Sequence, residues 1–292
     1  MADPRRRWIE LQRDLGGDEV IFDAPLNWPT AATTSPAPLQ VETTGTSPRP
    51  SHSAQSAAAV PPAPSAPPPP ADAPASTGVE GEGWRKGMPP IPEAGLSIRL
   101  PPAAAQPPWD SIDEIASVVV GCQKCPLCTT RTHAVPGEGN PHAGLMVVGE
   151  GPGESEDLSG RPFVGRAGEL LDKILAGVEL QRSDVYIANV VKCRPPRNRV
   201  PLPDERDACM PYLRRQIELV RPRVILALGG TAAEALLGVK ESLGRLRLKV
   251  HDWNGTPLVV TYHPAALLRN PNWKRPTWDD VRIARQLLDR RA

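Results

Sequence analysis

Gly149-Glu-Gly-Pro-Gly-Glu-Ser-Glu-Asp157 comes directly after the apolar run 145–148, and Tyr262-His-Pro-Ala-Ala-Leu-Leu-Arg269 comes directly after the apolar run 258–261. Both runs are short and made of aliphatic or β-branched residues, the pattern of a parallel strand buried on both faces. Two further runs of this kind lie at 185–191 and 224–228. Helical patterns fill the gaps. One covers 165–176 and gathers Leu170, Leu171, Ile174 and Leu175; a second covers 204–220 behind Pro203. A third starts at Thr231, an N-cap after Gly229-Gly230, and a last one starts at Thr277 with Trp278, Val281 and Leu288 turned inward. Strand alternating with helix predicts an α/β fold of three layers, α/β/α, with a central four-stranded parallel sheet. Open sheets of this type keep their sites in loops at the carboxyl ends of the strands, so the two quoted strings are expected to meet in one pocket.

Of the 37 prolines, 22 precede position 109, so the packed part is smaller than 292 residues suggest. Residues 24–108 are Pro/Ala/Ser-rich, as in Val60-Pro-Pro-Ala-Pro-Ser-Ala-Pro-Pro-Pro-Pro70, and offer few apolar side chains to offset the entropy of ordering. We read 1–108 as a disordered low-complexity extension and 109–292 as the packed domain. Ahead of the tether, Trp8, Leu11 and Leu15 stand at helical spacing, enough for a short amphipathic helix able to dock a protein partner. No segment approaches the ~20 apolar residues of a membrane span, and Met1-Ala-Asp-Pro-Arg-Arg-Arg7 leads into no apolar signal core. A cytoplasmic location is expected. Net charge is +1, yet 109–292 holds 26 Lys/Arg against 22 Asp/Glu. The excess gathers in Lys192, Arg194, Arg197 and Arg199, in Arg245, Arg247 and Lys249, and in Arg269, Lys274 and Arg275, groups able to contact phosphates.

Cysteines stand at Cys122, Cys125, Cys128, Cys193 and Cys209. In a reducing compartment an odd count clustered as C-x2-C argues for metal rather than disulfides. Cys122 and Cys125 can reach one metal from a single turn, with Cys193 just past a strand and Cys209 early in the next helix. Four thiolates suit either a tetrahedral zinc or a 4Fe-4S cluster; the second pair is split by fifteen residues, unlike a zinc ribbon, and inclines the reading to the cluster. Cys128 is left over.

From about Ser111 to Leu288 the chain resembles the type-four, iron-sulfur uracil-DNA glycosylases. The resemblance rests on Cys122-x2-Cys125-Pro-Leu-Cys, Gly137-Glu-Gly-Asn-Pro141, Gly149-Glu-Gly-Pro-Gly153 with Glu156-Asp157, and Gly160-Arg-Pro-Phe-Val-Gly-Arg-Ala-Gly168. It continues through Tyr186-Ile-Ala-Asn-Val-Val-Lys-Cys-Arg-Pro-Pro196, Leu228-Gly-Gly-Thr231 and Tyr262-His-Pro264, in that order. It implies a structural 4Fe-4S cluster on Cys122, Cys125, Cys193 and Cys209, and excision of uracil from single- or double-stranded DNA in base excision repair.

An enzyme of this kind must extrude the nucleotide and read it in a pocket. Phe163, amid Gly160, Pro162 and Gly165, is the expected stacking platform. Asn189 interrupts an apolar strand; its carbonyl can accept from uracil N3–H while its amine donates to O4, a pattern that cytosine reverses. His263 is placed to meet O2 and stabilise charge building on the departing base. Backbone amides around Gly151 and Gly153 can approach the base closely. The aspartate that better-known uracil glycosylases carry in the first motif is missing between Gly149 and Gly153. Glu150 is therefore the leading candidate to position water, with Glu156 and Asp157 behind it. Glu156 resembles the residue thought to crowd uracil C5 and exclude thymine, Leu267 and Leu268 are candidates to wedge into the vacated stack, and Arg269 to hold a phosphate, with burial in the sheet-helix interface as the rival reading. Relatives that trap abasic DNA carry a histidine in an Arg-rich insertion, and 192–205 has none, so turnover is expected, with Lys192 a phosphate contact rather than a lyase amine. Two rival readings are a non-catalytic nucleic-acid-binding module with zinc or iron-sulfur and an iron-sulfur redox protein; both leave Asn189, Phe163 and His263 without a role.

Overall fold

The computed structural model describes residues 83–100 and 109–290. Seven strands form one sheet in the order β1-β6-β7-β5-β3-β4-β2. They are β1 (Ala94–Ile98), β2 (Glu138–Gly139), β3 (Leu145–Gly149), β4 (Val185–Asn189), β5 (Val224–Leu228), β6 (Val250–Trp253) and β7 (Thr256–Thr261). The four anticipated strands are the centre, β7-β5-β3-β4, each pair parallel. The sheet has seven strands rather than four because its edges are extended. There β2 pairs antiparallel with β4, β6 pairs antiparallel with β7, and β1 runs parallel to β6.

Alternate residues of the central strands enter two separate cores, the period-2 geometry of a sheet covered on both faces. Met146, Val148, Ala188, Ile225, Ala227 and Val260 face one core. It is closed by Leu213 and Ile217 of α4 (Pro203–Val220), Ala233 and Leu236 of α5 (Gly230–Leu237), and Leu246 of α6 (Leu243–Arg247). Leu145, Val147, Ile187, Leu226 and Val259 face the other, closed by Leu171 and Leu175 of α3 (Arg166–Gly177) and by Val281, Ala284 and Leu288 of α8 (Lys274–Arg290). Three layers result, as the strand-helix alternation predicted. Besides α6, three helices were not anticipated. The first is α1 (Ile112–Val120), whose N-cap Ser111 accepts from the Glu114 N–H at 3.1 Å. The others are α2 (Glu154–Ser159) and α7 (Pro264–Arg269), each starting inside one of the two quoted strings.

The boundary at 108/109 needs correction for residues 83–100. Trp84 is buried in the second core, Arg282 Nε donates to its carbonyl at 2.8 Å, and the β1 residues pair with β6. A lone tryptophan and a five-residue edge strand between prolines leave no periodic signal, and only their partners on α8 and β6 reveal them. The Trp8 to Leu15 helix and the proline tract lie outside the described residues.

Candidate active site

Beyond β3 and β4 the parallel pairing continues into the loops. The Val190 N–H donates to the Gly149 carbonyl at 2.9 Å and the Val191 N–H to that of Glu150 at 3.1 Å, which sets Asn189 beside the first quoted string. The approach is close: a side chain on Gly149 would bring its first carbon within 2.4 Å of Asn189 Oδ1 and 2.6 Å of Phe163 Cζ, so only glycine fits. The Phe163 ring in turn lies 5.4 Å from the His263 ring, tilted by 30°. Three strand ends thus converge on Asn189, Phe163 and His263.

Asn189 is 2 % exposed, and among the described residues its Oδ1 is a buried side-chain acceptor with no donor. Such an atom costs roughly 1–3 kcal/mol unless a partner arrives. His263 Nδ1 accepts from the Ala265 N–H at 3.2 Å, which leaves the ring proton on Nε2. Burial, reinforced by the charge of Arg269, pushes the His263 pKa down to about 4, so the imidazole is a neutral donor.

The loops are held by groups that motif reading did not single out for this task. Glu156 Oε1 accepts from the N–H groups of Val164 and Gly165 at 2.8 and 2.9 Å, and its Oε2 from Gly153 at 3.0 Å. One carboxylate therefore ties the first string to the Phe163 loop, and the Gly153 amide, expected to face the base, is committed to Glu156. Gly151 makes no such bond among the described residues. Arg182 grips the same loop, donating through Nη1 to the Phe163 carbonyl at 3.0 Å and through Nη2 to that of Pro162. Phe163 itself has φ of 52°, a conformation costly for a bulky side chain that these bonds hold. Asp157 is buried, its Oδ1 accepting from the Thr132 N–H at 2.9 Å. Glu150 remains half-buried, its Oε2 accepting from the Thr231 hydroxyl at 2.5 Å.

Behind His263, Asp280 Oδ2 accepts from Arg247 Nε and from the Thr261 hydroxyl, both at 2.7 Å. Burial raises the Asp280 pKa to about 6 in spite of these donors. The Arg247 guanidinium lies 4.4 Å from the Tyr262 ring centre, and Tyr262 stacks on Trp273 at 4.6 Å. Arg247 is therefore an internal brace rather than a phosphate contact. Two further expectations change. Leu267 is 1 % exposed and anchors α7 instead of wedging into DNA, while Leu268 is half-buried and Arg269 exposed. Lys192 is 1 % exposed, donating from Nζ to the Asn189 carbonyl at 2.9 Å and to Gln216 Oε1 at 2.6 Å. It reaches neither phosphate nor abasic sugar; burial of this ammonium was invisible in a stretch dense with surface arginines.

Cys122, Cys125, Cys128, Cys193 and Cys209 all line one cavity between α1 and α4. Among the described residues no three Cys, His, Asp or Glu come together tightly enough to hold a single metal ion. All five are thiols, a soft donor set that suits a thiolate-held metal centre. Arg131 Nη1 donates to Cys193 Sγ at 2.9 Å and the Tyr212 hydroxyl to Cys122 Sγ at 3.2 Å, contacts that favour thiolate charge.

An unanswered acceptor, an N–H donor and an aromatic ring thus stand together at the carboxyl ends of the strands of an α/β sheet. The model of the Uracil DNA glycosylase superfamily matches residues 136–283, and the chain belongs to that superfamily. It is 48 % identical over 188 residues to a type-4 uracil-DNA glycosylase of Saccharolobus solfataricus, covering 61 % of this chain and 87 % of that protein. It is 46 % identical over 178 residues to one from Thermotoga maritima, covering 60 % and 93 %. With one from Archaeoglobus fulgidus it shares 42 % identity over 190 residues, covering 62 % and 96 %.

Proposed function

We propose that this chain flips uracil out of DNA and hydrolyses its N-glycosidic bond, releasing the free base and leaving an abasic site. The observation that carries the reading is the orphaned Asn189 Oδ1, a buried acceptor beside a ring wall. Uracil N3–H answers it, and the Asn189 amine answers O4; the cytosine edge would meet an acceptor with an acceptor. Phe163 stacks on the base. As the C1′–N1 bond breaks, its electron pair moves onto the base, and the neutral His263 Nε2–H hydrogen-bonds to O2 where that charge gathers. Water adds to C1′ from the side of Glu150, whose carboxylate takes the proton before it passes to solvent. Glu150 is preferred because Glu156 has both oxygens engaged and Asp157 is buried against Thr132. We assign rejection of thymine to the Gly153 to Glu156 turn, whose carboxylate three amides prevent from swinging aside.

Cys122, Cys125, Cys193 and Cys209 would hold a 4Fe-4S cluster. When bound it supplies a rigid cross-link between the segment after α1 and the loop after β4 rather than a chemical step. Leu268 and Arg269 are assigned to the DNA face beside His263. We further infer a monomer that works at the nucleoid, with a protein partner for the extension; no helix among the described residues is long and apolar enough to cross a membrane. The test is uracil release from a short oligonucleotide by purified protein, with cytosine, thymine and hypoxanthine at the same position. Release of uracil lost in Asn189→Ala and moved towards cytosine in Asn189→Asp is expected, since a carboxylate accepts from the cytosine amine. Undiminished activity in Asn189→Ala would remove the assignment.

A further inference from the structure

Thr231 is the second residue of α5, directly after the Gly229-Gly230 turn. The structure places its hydroxyl 2.5 Å from Glu150 Oε2, across 81 residues of sequence. A threonine hydroxyl has one proton to give, and here it goes to the carboxylate. Among the described residues no group donates to the other oxygen, Oε1. The two oxygens of Glu150 are thereby made unequal: one is pinned by the protein, the other is left for solvent.

The turn that carries Thr231 also touches the opposite wall of the pocket. Gly229, with φ of 93°, lies where a first side-chain carbon would come 3.2 Å from His263 Cβ, and α5 begins at the next residue. The turn Gly229 to Thr231 therefore stands between Glu150 and His263. Its helix start adds a partial positive charge beside the carboxylate. A glutamate side chain has three rotatable bonds; water activation needs its oxygen at one place relative to the sugar, and misplacement by about 1 Å can cost on the order of a hundredfold in rate.

We propose that Thr231 is a positioning residue for the hydrolytic water: by fixing Glu150 Oε2 it aims Oε1 at the water that attacks C1′. The inference rests on the assignment of Glu150 as the water-positioning carboxylate. Thr231 touches neither base nor sugar in this scheme, so its loss slows the chemical step without weakening DNA binding.

A double-mutant cycle tests it. Single-turnover uracil release at saturating oligonucleotide, affinity for the same oligonucleotide, and thermal melting are measured for Thr231→Val, Thr231→Ser, Glu150→Ala and the Thr231→Val/Glu150→Ala double variant. Valine keeps the shape and removes the proton, and the rate is expected to fall about 10- to 100-fold, the span of one charge-assisted hydrogen bond, with affinity and melting unchanged. Serine restores the rate. In the Glu150→Ala background the valine change costs nothing further, because its target is gone. A Thr231→Val enzyme at wild-type rate, or an equal valine penalty in both backgrounds, overturns the inference while leaving Glu150 in place. Glu150→Ala at wild-type rate overturns the assignment on which it rests, a separate result. Should the valine variant not fold, Thr231→Ala takes its place in the same cycle.

Discussion

The two ends of the β3 to β4 region differ in what completes them. At the base-reading end every wall is braced by protein: Glu156 collects three amides, Arg182 holds the Phe163 loop, and one atom, Asn189 Oδ1, is left over. At the cysteine end five thiols surround a cavity, with Arg131 and Tyr212 as their only side-chain hydrogen-bond donors among the described residues. The first site is braced by hydrogen bonds around one orphaned acceptor; the second is a cavity walled by thiols. Lys192 joins the two, lining the cysteine cavity while donating to the Asn189 carbonyl. Substrate recognition and structural integrity thus occupy neighbouring volumes but draw on different chemistry.

The largest effect belongs to the base-reading end. Asn189→Ala is expected to lower single-turnover uracil excision by about three orders of magnitude, roughly 4 kcal/mol, with the iron content intact. Retention of a tenth of the rate would mean that the ring wall and His263 suffice.

At the cysteine end, Cys193→Ser or Cys209→Ser should bleach the visible absorbance and lower the melting temperature by on the order of 10 °C, since ligand loss is lost folding energy. Cys128→Ser keeps both colour and activity. The reverse pattern of iron loss would show that Cys128, and not Cys209, belongs to the ligand set.

Glu156→Gln sharpens the contrast between bracing and reading. The neutral amide retains one acceptor in place of two charged ones, so about 2 kcal/mol of stability is expected to go, with a rate loss of roughly tenfold. A change in thymine rejection without a change in melting would instead place Glu156 against the base.

Trp84→Ala tests a burial remote from both ends. Removing a buried tryptophan costs about 3–5 kcal/mol, seen as a fall in melting temperature of roughly 6–15 °C, while excision at low temperature stays at wild-type rate. Truncation before residue 83 should spare stability, and truncation at 105 should not, because it takes β1 and Trp84.

The smallest effect is one of pH. The His263 pKa is lowered to about 4 in the fold from its ordinary value near 6.5, so the imidazole stays neutral from pH 8 to about 5 and excision should show no inflection near 6.5 from this group. The sign for stability follows: its contribution is full above about 6.5 and is lost as pH falls towards 4. A rate inflection between 6 and 7 that vanishes in His263→Gln would contradict a neutral donor.

The central strands were legible because burial on both faces makes their sequences continuously apolar, as in Val224-Ile-Leu-Ala-Leu228. The edge strands were not. In Val250-His-Asp-Trp253 two adjacent polar residues break both an apolar run and an alternation, Glu138-Gly139 is too short to carry a pattern, and Ala94–Ile98 sits among prolines. Each exists because a neighbour offers unpaired backbone groups. The same division runs through the site. Asn189, Phe163, His263 and the four cysteines stand in motifs whose residue types already state a chemistry. Their supports, Arg182 under Phe163, Thr231 on Glu150 and Asp280 behind Thr261, are ordinary polar residues in ordinary places, and the burial of Leu267 and Lys192 is decided by neighbours distant in sequence.

Sequence by itself determined which central strands are buried on both faces and which side chains bring amide, imidazole and thiol chemistry, because these depend on the residue and its near neighbours. Tertiary structure alone decided which oxygen of which carboxylate is left free. That choice is made by hydrogen bonds between residues as far apart as Glu150 and Thr231, which only the order of the strands brings within reach.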